Sequence, residues 1–116
     1  MVKRAMNKMA SEENPIIRKL ANGLRDLYGK RLRNLILFGS YARGDYDEDS
    51  DIDIAVVLDK FEYAGEEISN SSDIVAKICL ENDCLIALVP IREMDWKSRK
   101  TPLLENIRKE GVLIEK

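Results

Sequence analysis

Two acidic residues separated by one position, Asp51 and Asp53, have the clearest chemical potential in this sequence. They belong to the segment 51–58, whose alternating apolar residues predict a β-strand, so both carboxylates are expected on one face. Two neighbouring carboxylates repel each other and contribute nothing to the stability of a fold. They are well suited to Mg²⁺, which accepts carboxylate and phosphate oxygens together.

A second feature is the Gly39-Ser40 pair, which follows an apolar run at 35–38 that predicts a buried strand. A turn here can direct backbone N–H groups outward, while glycine permits close approach of a phosphate and Ser40 adds a hydroxyl donor. A short helix beginning at 41–43 would favour the same anion with its N-terminus. A phosphate-binding turn beside paired carboxylates is typical of metal-assisted phosphoryl or nucleotidyl transfer.

The composition narrows the chemistry further. The chain of 116 residues has no histidine, which excludes Ser-His and Cys-His catalysis and histidine-ligated zinc. Its 19 basic and 21 acidic residues give a net charge of −2. That balance argues against extended nucleic-acid binding, although a single nucleotide needs only a small local site.

The length predicts a single domain spanning residues 1–116. No apolar stretch is long enough to span a bilayer, and residues 1–10 lack the apolar run of a signal peptide. Cys79 and Cys84 have a spacing that fits no common metal or redox site, which favours free thiols in a reducing compartment. We therefore expect a cytoplasmic protein without membrane contact.

Local patterns predict the elements that must position the site. Helices are expected at 15–28, at 63–82 with a weak point at 69–73, and at 102–110. Strands are expected at 35–38, 51–58 and 84–89, the last ended by Pro90, with a further strand at 112–114. This order predicts an α/β (α+β) fold, a small mixed sheet with helices packed on it. The expected core positions of the first two helices are Ile16, Leu20, Leu24, Leu27, Tyr28, Ile68, Val75, Ile78 and Cys79.

Gly39-Ser40, Arg43-Gly44, Ser50-Asp51 and Asp53 match the pattern G-S-x-x-R-G…S-D-x-D. On these residues the chain resembles the DNA polymerase β nucleotidyltransferase superfamily. Its length and the segment 102–111 resemble the minimal nucleotidyltransferases (MNT), which include MntA-type antitoxins of HEPN/MNT toxin–antitoxin pairs. The resemblance implies a polymerase β-like nucleotidyltransferase fold. It also implies Mg²⁺-dependent transfer of a nucleoside monophosphate from ATP or another nucleoside triphosphate.

The resemblance implies nucleotide-binding roles for four residues. Gly39 and Ser40 would hold the β- and γ-phosphates. Arg43 would contact the triphosphate, although pairing with a neighbouring acid such as Asp45 is the alternative. Ser50 belongs to the same site and is expected to orient Asp51 or the turn, because a nucleophilic serine would need a base that the chain lacks.

The same resemblance implies that Asp51 and Asp53 ligate the metal ion. The family usually adds a third carboxylate on a later strand, where it helps to bind metal and to activate the attacking hydroxyl. The predicted strand at 84–89 has no acid in its interior, so Asp83 at its entrance is the candidate for this catalytic and metal-binding position. The alternative for Asp83 is a solvated residue in a helix–strand turn.

The sequence leaves three hypotheses for the function open. The first is an enzyme that adenylylates a protein hydroxyl, with a HEPN-type toxin as the partner. The second is a non-catalytic antitoxin that acts by forming a complex. The third is a small-molecule nucleotidyltransferase, but such proteins carry an extra helical domain for which this chain has no residues left.

Overall fold

Helix α1 (Pro15–Tyr28) begins where the Asn14-Pro15 pair predicts a helix start. In the computed structural model, which describes residues 14–115, the Asn14 side chain accepts a hydrogen bond from the Ile16 N–H at 2.9 Å. The helix ends at Gly29, whose φ of 56° lies in the region that favours glycine. The expectation for residues 1–10 lies outside the described part of the chain.

The buried face of α1 is rotated slightly from the predicted one. Ile16 is partly exposed and Leu27 is 42% exposed, although both were predicted in the core. The centre of the buried face is shifted around the helix axis from its predicted position, so these two side chains lie at the edge of that face. The buried residues are Ile17, Leu20, Ala21, Leu24 and Tyr28.

Within residues 14–115, four strands form one mixed sheet: β1 (Leu32–Phe38), β2 (Ile52–Leu58), β3 (Ile86–Arg92) and β4 (Val112–Glu115). Their spatial order is β3-β2-β1-β4. Strand β1 runs antiparallel to both of its neighbours, whereas β2 and β3 are parallel. The predicted mixed sheet and the predicted final strand are therefore confirmed.

Strand β3 differs from the prediction, which ended it at Pro90. It continues through Pro90, which lies opposite Val56, and ends at Arg92. The prediction was wrong because it treated proline as a strand stop in any position. Strand β3 lies at the edge of the sheet, where proline can turn its missing N–H group to the open side.

The remaining helices are α2 (Ser40–Arg43), α3 (Ala64–Asn82), α4 (Glu93–Ser98) and α5 (Pro102–Glu110), and a 3₁₀ turn (Gly29–Arg31) connects α1 to β1. Helix α4 was not predicted. Helix α3 passes through its polar weak point without a break, and the buried Ser71 hydroxyl there donates to the carbonyl oxygens of Glu67 and Ile68, each at 3.1 Å. Ile68, predicted in the core, is 45% exposed. Across residues 14–115 the helices lack the combined length and apolarity needed to cross a bilayer.

The two faces of the sheet are covered by different helices, and this decides where the acidic pair lies. On the first face, side chains such as Leu37 and Ile54 pack with residues of α1 and α3. On the second face, Val57 packs with Ile107 of α5. Because side chains two positions apart in a strand point the same way, Asp53 lies on the second face.

A pair of substitutions on α1 tests this packing. Leu24→Ala is expected to lower the free energy of unfolding by about 2–5 kcal/mol, because the side chain is fully buried. Leu27→Ala, three positions along the same helix and 42% exposed, is expected to cost less than about 1 kcal/mol. Urea denaturation of both variants measures the difference. Equal losses would contradict the observed orientation of α1.

Candidate functional site

Asp53 lies on β2 between two neighbouring strands. Its backbone partners are Phe38 on β1 and Ala87 on β3. Asp51 precedes β2 and is exposed, whereas Asp53 is partly buried. The two carboxylates are close enough that the charge of Asp51 affects the pKa of Asp53.

The electrostatic surroundings of Asp53 favour a bound cation. Burial raises the pKa of Asp53 above its usual value, and the negative charge of Asp51 raises it further. Arg43 lowers the pKa, while Glu110 raises it again. One arginine thus offsets the charge of three nearby carboxylates only in part, and a bound cation would offset the remainder.

Gly39 stands directly against the Asp53 carboxylate. Its φ of 74° lies in the left-handed region, and a Cβ atom at this position would overlap Asp53 Oδ2. The structure therefore gives a reason for glycine in addition to the predicted approach of a phosphate. Any other residue here would displace the carboxylate and strain the backbone.

The turn after Gly39 is the predicted short helix, α2. Ser40 is its first residue, so its N–H group lies at the end of the helix where backbone donors have no partner within the helix. Gly44, with a φ of 83°, ends the helix and donates its N–H to the Ser40 carbonyl oxygen at 2.9 Å. The rings of Tyr41 and Tyr46 stack on each other with their centroids 4.1 Å apart.

Arg43 forms two ion pairs at the rim of the site. Its Nε lies 3.2 Å from Asp45 Oδ2, which was the pairing expected as the alternative to phosphate binding. Its Nη1 lies 3.3 Å from Glu110 Oε2. The two carboxylates raise the pKa of Arg43, mainly through their hydrogen bonds to it. The Arg43 side chain is more than two-fifths exposed, so it remains accessible to a ligand.

Glu110 is the site residue that sequence reasoning missed. Its Oε1 accepts a hydrogen bond from the Gly39 N–H at 3.0 Å. The resemblance included Glu110 in the segment 102–111 but gave it no role. Its position became evident from the pairing of β4 with β1, which brings the end of α5 to the end of β1.

Ser50 orders the acidic turn before β2. Its hydroxyl accepts a hydrogen bond from the Asp47 N–H at 3.0 Å and lies 3.2 Å from Asp47 Oδ1, to which it donates. Asp47 Oδ1 also accepts from the Asp49 N–H at 2.9 Å. These bonds fix the turn that leads into Asp51. They agree with an orienting role for Ser50.

Asp83 ends α3 in the left-handed conformation, with a φ of 50°. It lines the same cavity as Asp51, which has a volume of about 390 Å³. Within residues 14–115, no cluster of three or more acidic, cysteine or histidine side chains is grouped closely enough to hold a metal ion. The position beside Asp53 on β3 is held by Ala87. The metal-binding role of Asp83 therefore stays a prediction.

Several known proteins are similar to this chain. A family model described as a nucleotidyltransferase domain matches residues 17–113. A protein of Methanocaldococcus jannaschii that bears the name "Putative protein adenylyltransferase" is 38% identical over 104 residues, which cover 88% of this chain and 97% of that protein. A second protein of the same organism and name is 31% identical over 97 residues, which cover 84% of this chain and 93% of that protein. A toxin–antitoxin crystal structure with AMP-PNP superposes with a TM-score of 0.61 at 27% identity, covering 83% of this chain and 69% of that one.

The raised pKa of Asp53 predicts a pH-dependent effect of Asp53→Asn in metal-free buffer. When the pKa of a carboxyl group is higher in the folded chain, the folded protein loses stability as the pH rises. The loss begins near the pKa of 3.8 in the unfolded chain and is complete above the pKa in the folded chain. The variant avoids this loss, so near pH 7 it should unfold at a higher temperature than the wild type. The gain in the free energy of unfolding should be less than about 1 kcal/mol, because the group is partly exposed.

Thermal unfolding with a chelator between about pH 4 and pH 8 measures this effect, with the advantage narrowing toward pH 4. Asp73→Asn, an exposed acid on α3, serves as the control and should change little. An advantage that stays constant over this range would contradict the assignment to Asp53.

Proposed function

The chain belongs to the nucleotidyltransferase domain family, and from this premise we propose that it transfers AMP from ATP to a hydroxyl group of a partner protein. The membership confirms the family and the polymerase β-like fold predicted from the sequence. The observation that supports the proposal most directly is the contact of Gly39 with the Asp53 carboxylate. It joins the phosphate-binding turn to the acidic pair in one site.

In this proposal Asp51 and Asp53 hold Mg²⁺. When bound, Mg²⁺ would neutralise charge on the phosphoryl oxygens during transfer. Gly39 permits the close approach of the β- and γ-phosphates, and the hydroxyl and N–H of Ser40 bind them. Arg43 approaches the triphosphate from the rim of the site, where it is accessible.

Ser50 supports this arrangement through the hydrogen bonds that it makes within the acidic turn. We assign it to the nucleotide site as an orienting residue, since the turn delivers Asp51 to the start of β2. Asp83 is proposed as the third carboxylate, because it lines the cavity that Asp51 also lines. It would accept the proton of the attacking hydroxyl while the acceptor oxygen bonds to the α-phosphorus and pyrophosphate leaves.

The acceptor is proposed to be a protein because of the names of the relatives and of the structure that this chain resembles. In this proposal the partner supplies the hydroxyl and holds it in line with the leaving pyrophosphate. The relatives from Methanocaldococcus jannaschii are named for transfer to protein, and the structure with AMP-PNP is a toxin–antitoxin structure. A HEPN-type toxin is the partner that agrees with both and with the resemblance, and we propose that the reaction takes place in the cytoplasm.

The competing reading is an antitoxin that inhibits its toxin by complex formation without chemistry. Adding AMP to a toxin side chain would bring bulk and negative charge to a surface that must admit RNA phosphates, so chemistry alone can inhibit. The two hypotheses predict different masses for the toxin after incubation with the chain and ATP, because only transfer adds AMP.

Neutralising either metal-binding acid should abolish transfer. Asp51→Asn and Asp53→Asn are each expected to lower the rate at least about 100-fold, because each removes a carboxylate that holds the metal ion. Intact mass spectrometry of a HEPN-type toxin incubated with the chain, Mg²⁺ and ATP measures the added AMP. Asp73→Asn is the matched control and should transfer at the wild-type rate.

Two results would contradict this proposal. Transfer retained in either variant would remove the assigned metal-binding roles. An unmodified toxin that is nevertheless inhibited in a stable complex with the wild-type chain would favour the reading without chemistry.

Asp83→Asn tests the third carboxylate separately. If Asp83 reaches the metal site, the variant should bind Mg²⁺ about tenfold more weakly in the presence of a non-hydrolysable ATP analogue. The rise of the unfolding temperature with Mg²⁺ concentration measures this affinity. An affinity equal to that of the wild type would leave Asp51 and Asp53 as the two acids of the site and would remove Asp83 from it.

A further inference from the structure

The Glu110 carboxylate contacts two parts of the candidate nucleotide site at once. Its Oε1 accepts the hydrogen bond from the Gly39 N–H at 3.0 Å, and Arg43 Nη1 lies 3.4 Å from Oε1 and 3.3 Å from Oε2. The side chain is 22% exposed, so most of its surface is covered. An anion therefore already pairs with Arg43, a group that a phosphate would also use.

The position of Glu110 is fixed by the chain on either side of it. It is the last residue of α5, and Gly111 follows with its N–H bonded to the Ile107 carbonyl oxygen at 2.8 Å. A Cβ atom on Gly111 would overlap that oxygen and Ile36, so the backbone is closely seated on the sheet here. The backbone of Glu110 is therefore held at the end of β1 by packing.

The Gly39 N–H needs this partner because the sheet provides none. The ladder between β1 and β4 ends at Leu37, which lies opposite Val112. Gly39 lies two residues beyond that point, and the Glu110 side chain takes the place of the missing strand. The bond restrains the turn whose glycine lies against Asp53.

The ion pair between Glu110 and Arg43 can be exchanged more readily than the hydrogen bond between Glu110 and Gly39. Arg43 divides its guanidinium between Asp45 and Glu110, and it is exposed enough to exchange partners. A triphosphate has more negative charge than one carboxylate and would compete for the same guanidinium. The hydrogen bond to Gly39 involves a restrained backbone group, and a neutral amide oxygen can still accept it, although more weakly than a carboxylate.

We propose that Glu110 is a positioning residue of the nucleotide site: its carboxylate fixes the Gly39 turn against Asp53 and holds Arg43 until the triphosphate replaces it there. This inference rests on the proposed function. It assigns two separable effects to one side chain. The bond to Gly39 favours the reactive geometry, whereas the pair with Arg43 opposes nucleotide binding.

Two substitutions separate these effects. Glu110→Gln keeps an oxygen that can accept from the Gly39 N–H but removes the charge that holds Arg43. It should bind Mg²⁺–ATP about two- to fivefold more tightly, with kcat within about twofold of the wild type. Glu110→Ala removes both contacts, and its kcat should fall about tenfold or more because the turn is no longer restrained.

The experiment measures the Kd of Mg²⁺–ATP by titration calorimetry at low and high salt, together with kcat and KM. The gain in Glu110→Gln should shrink at high salt, because screening weakens the pair that it removes. The amide resonance of Gly39 in the nucleotide-free chain provides a readout without turnover. It should move strongly in Glu110→Ala and little in Glu110→Gln.

Glu105→Gln is the matched control, since Glu105 lies on the same helix and pairs with Arg108 at 2.6 Å instead of with the site. It should change neither Kd nor the Gly39 resonance. A Kd in Glu110→Gln equal to or weaker than that of the wild type overturns the inference and leaves the proposed function intact. A wild-type chain that binds no Mg²⁺–ATP overturns the proposed function itself, and the inference with it.

Discussion

The close approach of the Gly39 backbone to the Asp53 carboxylate is the constraint on which the rest of the site depends. Antiparallel pairing sets Asp53 opposite Phe38, so the strand that ends at Phe38 delivers its next residue against the carboxylate. A side chain larger than hydrogen at position 39 would separate the two elements. The phosphate-binding turn and the acidic pair can share one site because this contact is so short.

The layers of the fold determine which side of the sheet becomes the site. Helices α1 and α3 pack on the first face, where the strands contribute large aliphatic side chains. The second face is packed by α5 and partly by Trp96 of α4, around Ala55 and Val57. Asp53 precedes these residues on the same face and is less buried than they are. The acidic end of β2 is thus supported by a packed core while it stays accessible.

Charge balance at the site is set by residues from three parts of the chain. Asp51 and Asp53 come from β2 and its approach, Arg43 from α2, and Glu110 from the end of α5. The carboxylates outnumber the arginine, so the site is left with excess negative charge close to a partly buried group. A bound divalent cation would offset this negative charge and so stabilise the site, which agrees with the chemistry of the family.

Much of this protein was determined by short segments of its sequence. The start of α1 at Asn14-Pro15, the strand β2 that carries Asp53 and the Gly39-Ser40 turn follow from preferences of the chain over a few residues. Local patterns also predicted the mixed sheet, because alternation and turn residues are local signals. The type of chemistry follows from residue types and spacing.

Tertiary structure alone decided the features that depend on distant pairing. Strand β3 accommodates Pro90 because it lies at the sheet edge, and α1 turns Leu27 outward because its neighbours fix the centre of the buried face. Glu110 reaches Gly39 across 71 positions of sequence, through the pairing of β4 with β1. No local pattern encodes that contact, since it arises only when the last strand joins the sheet and brings the end of α5 to the site.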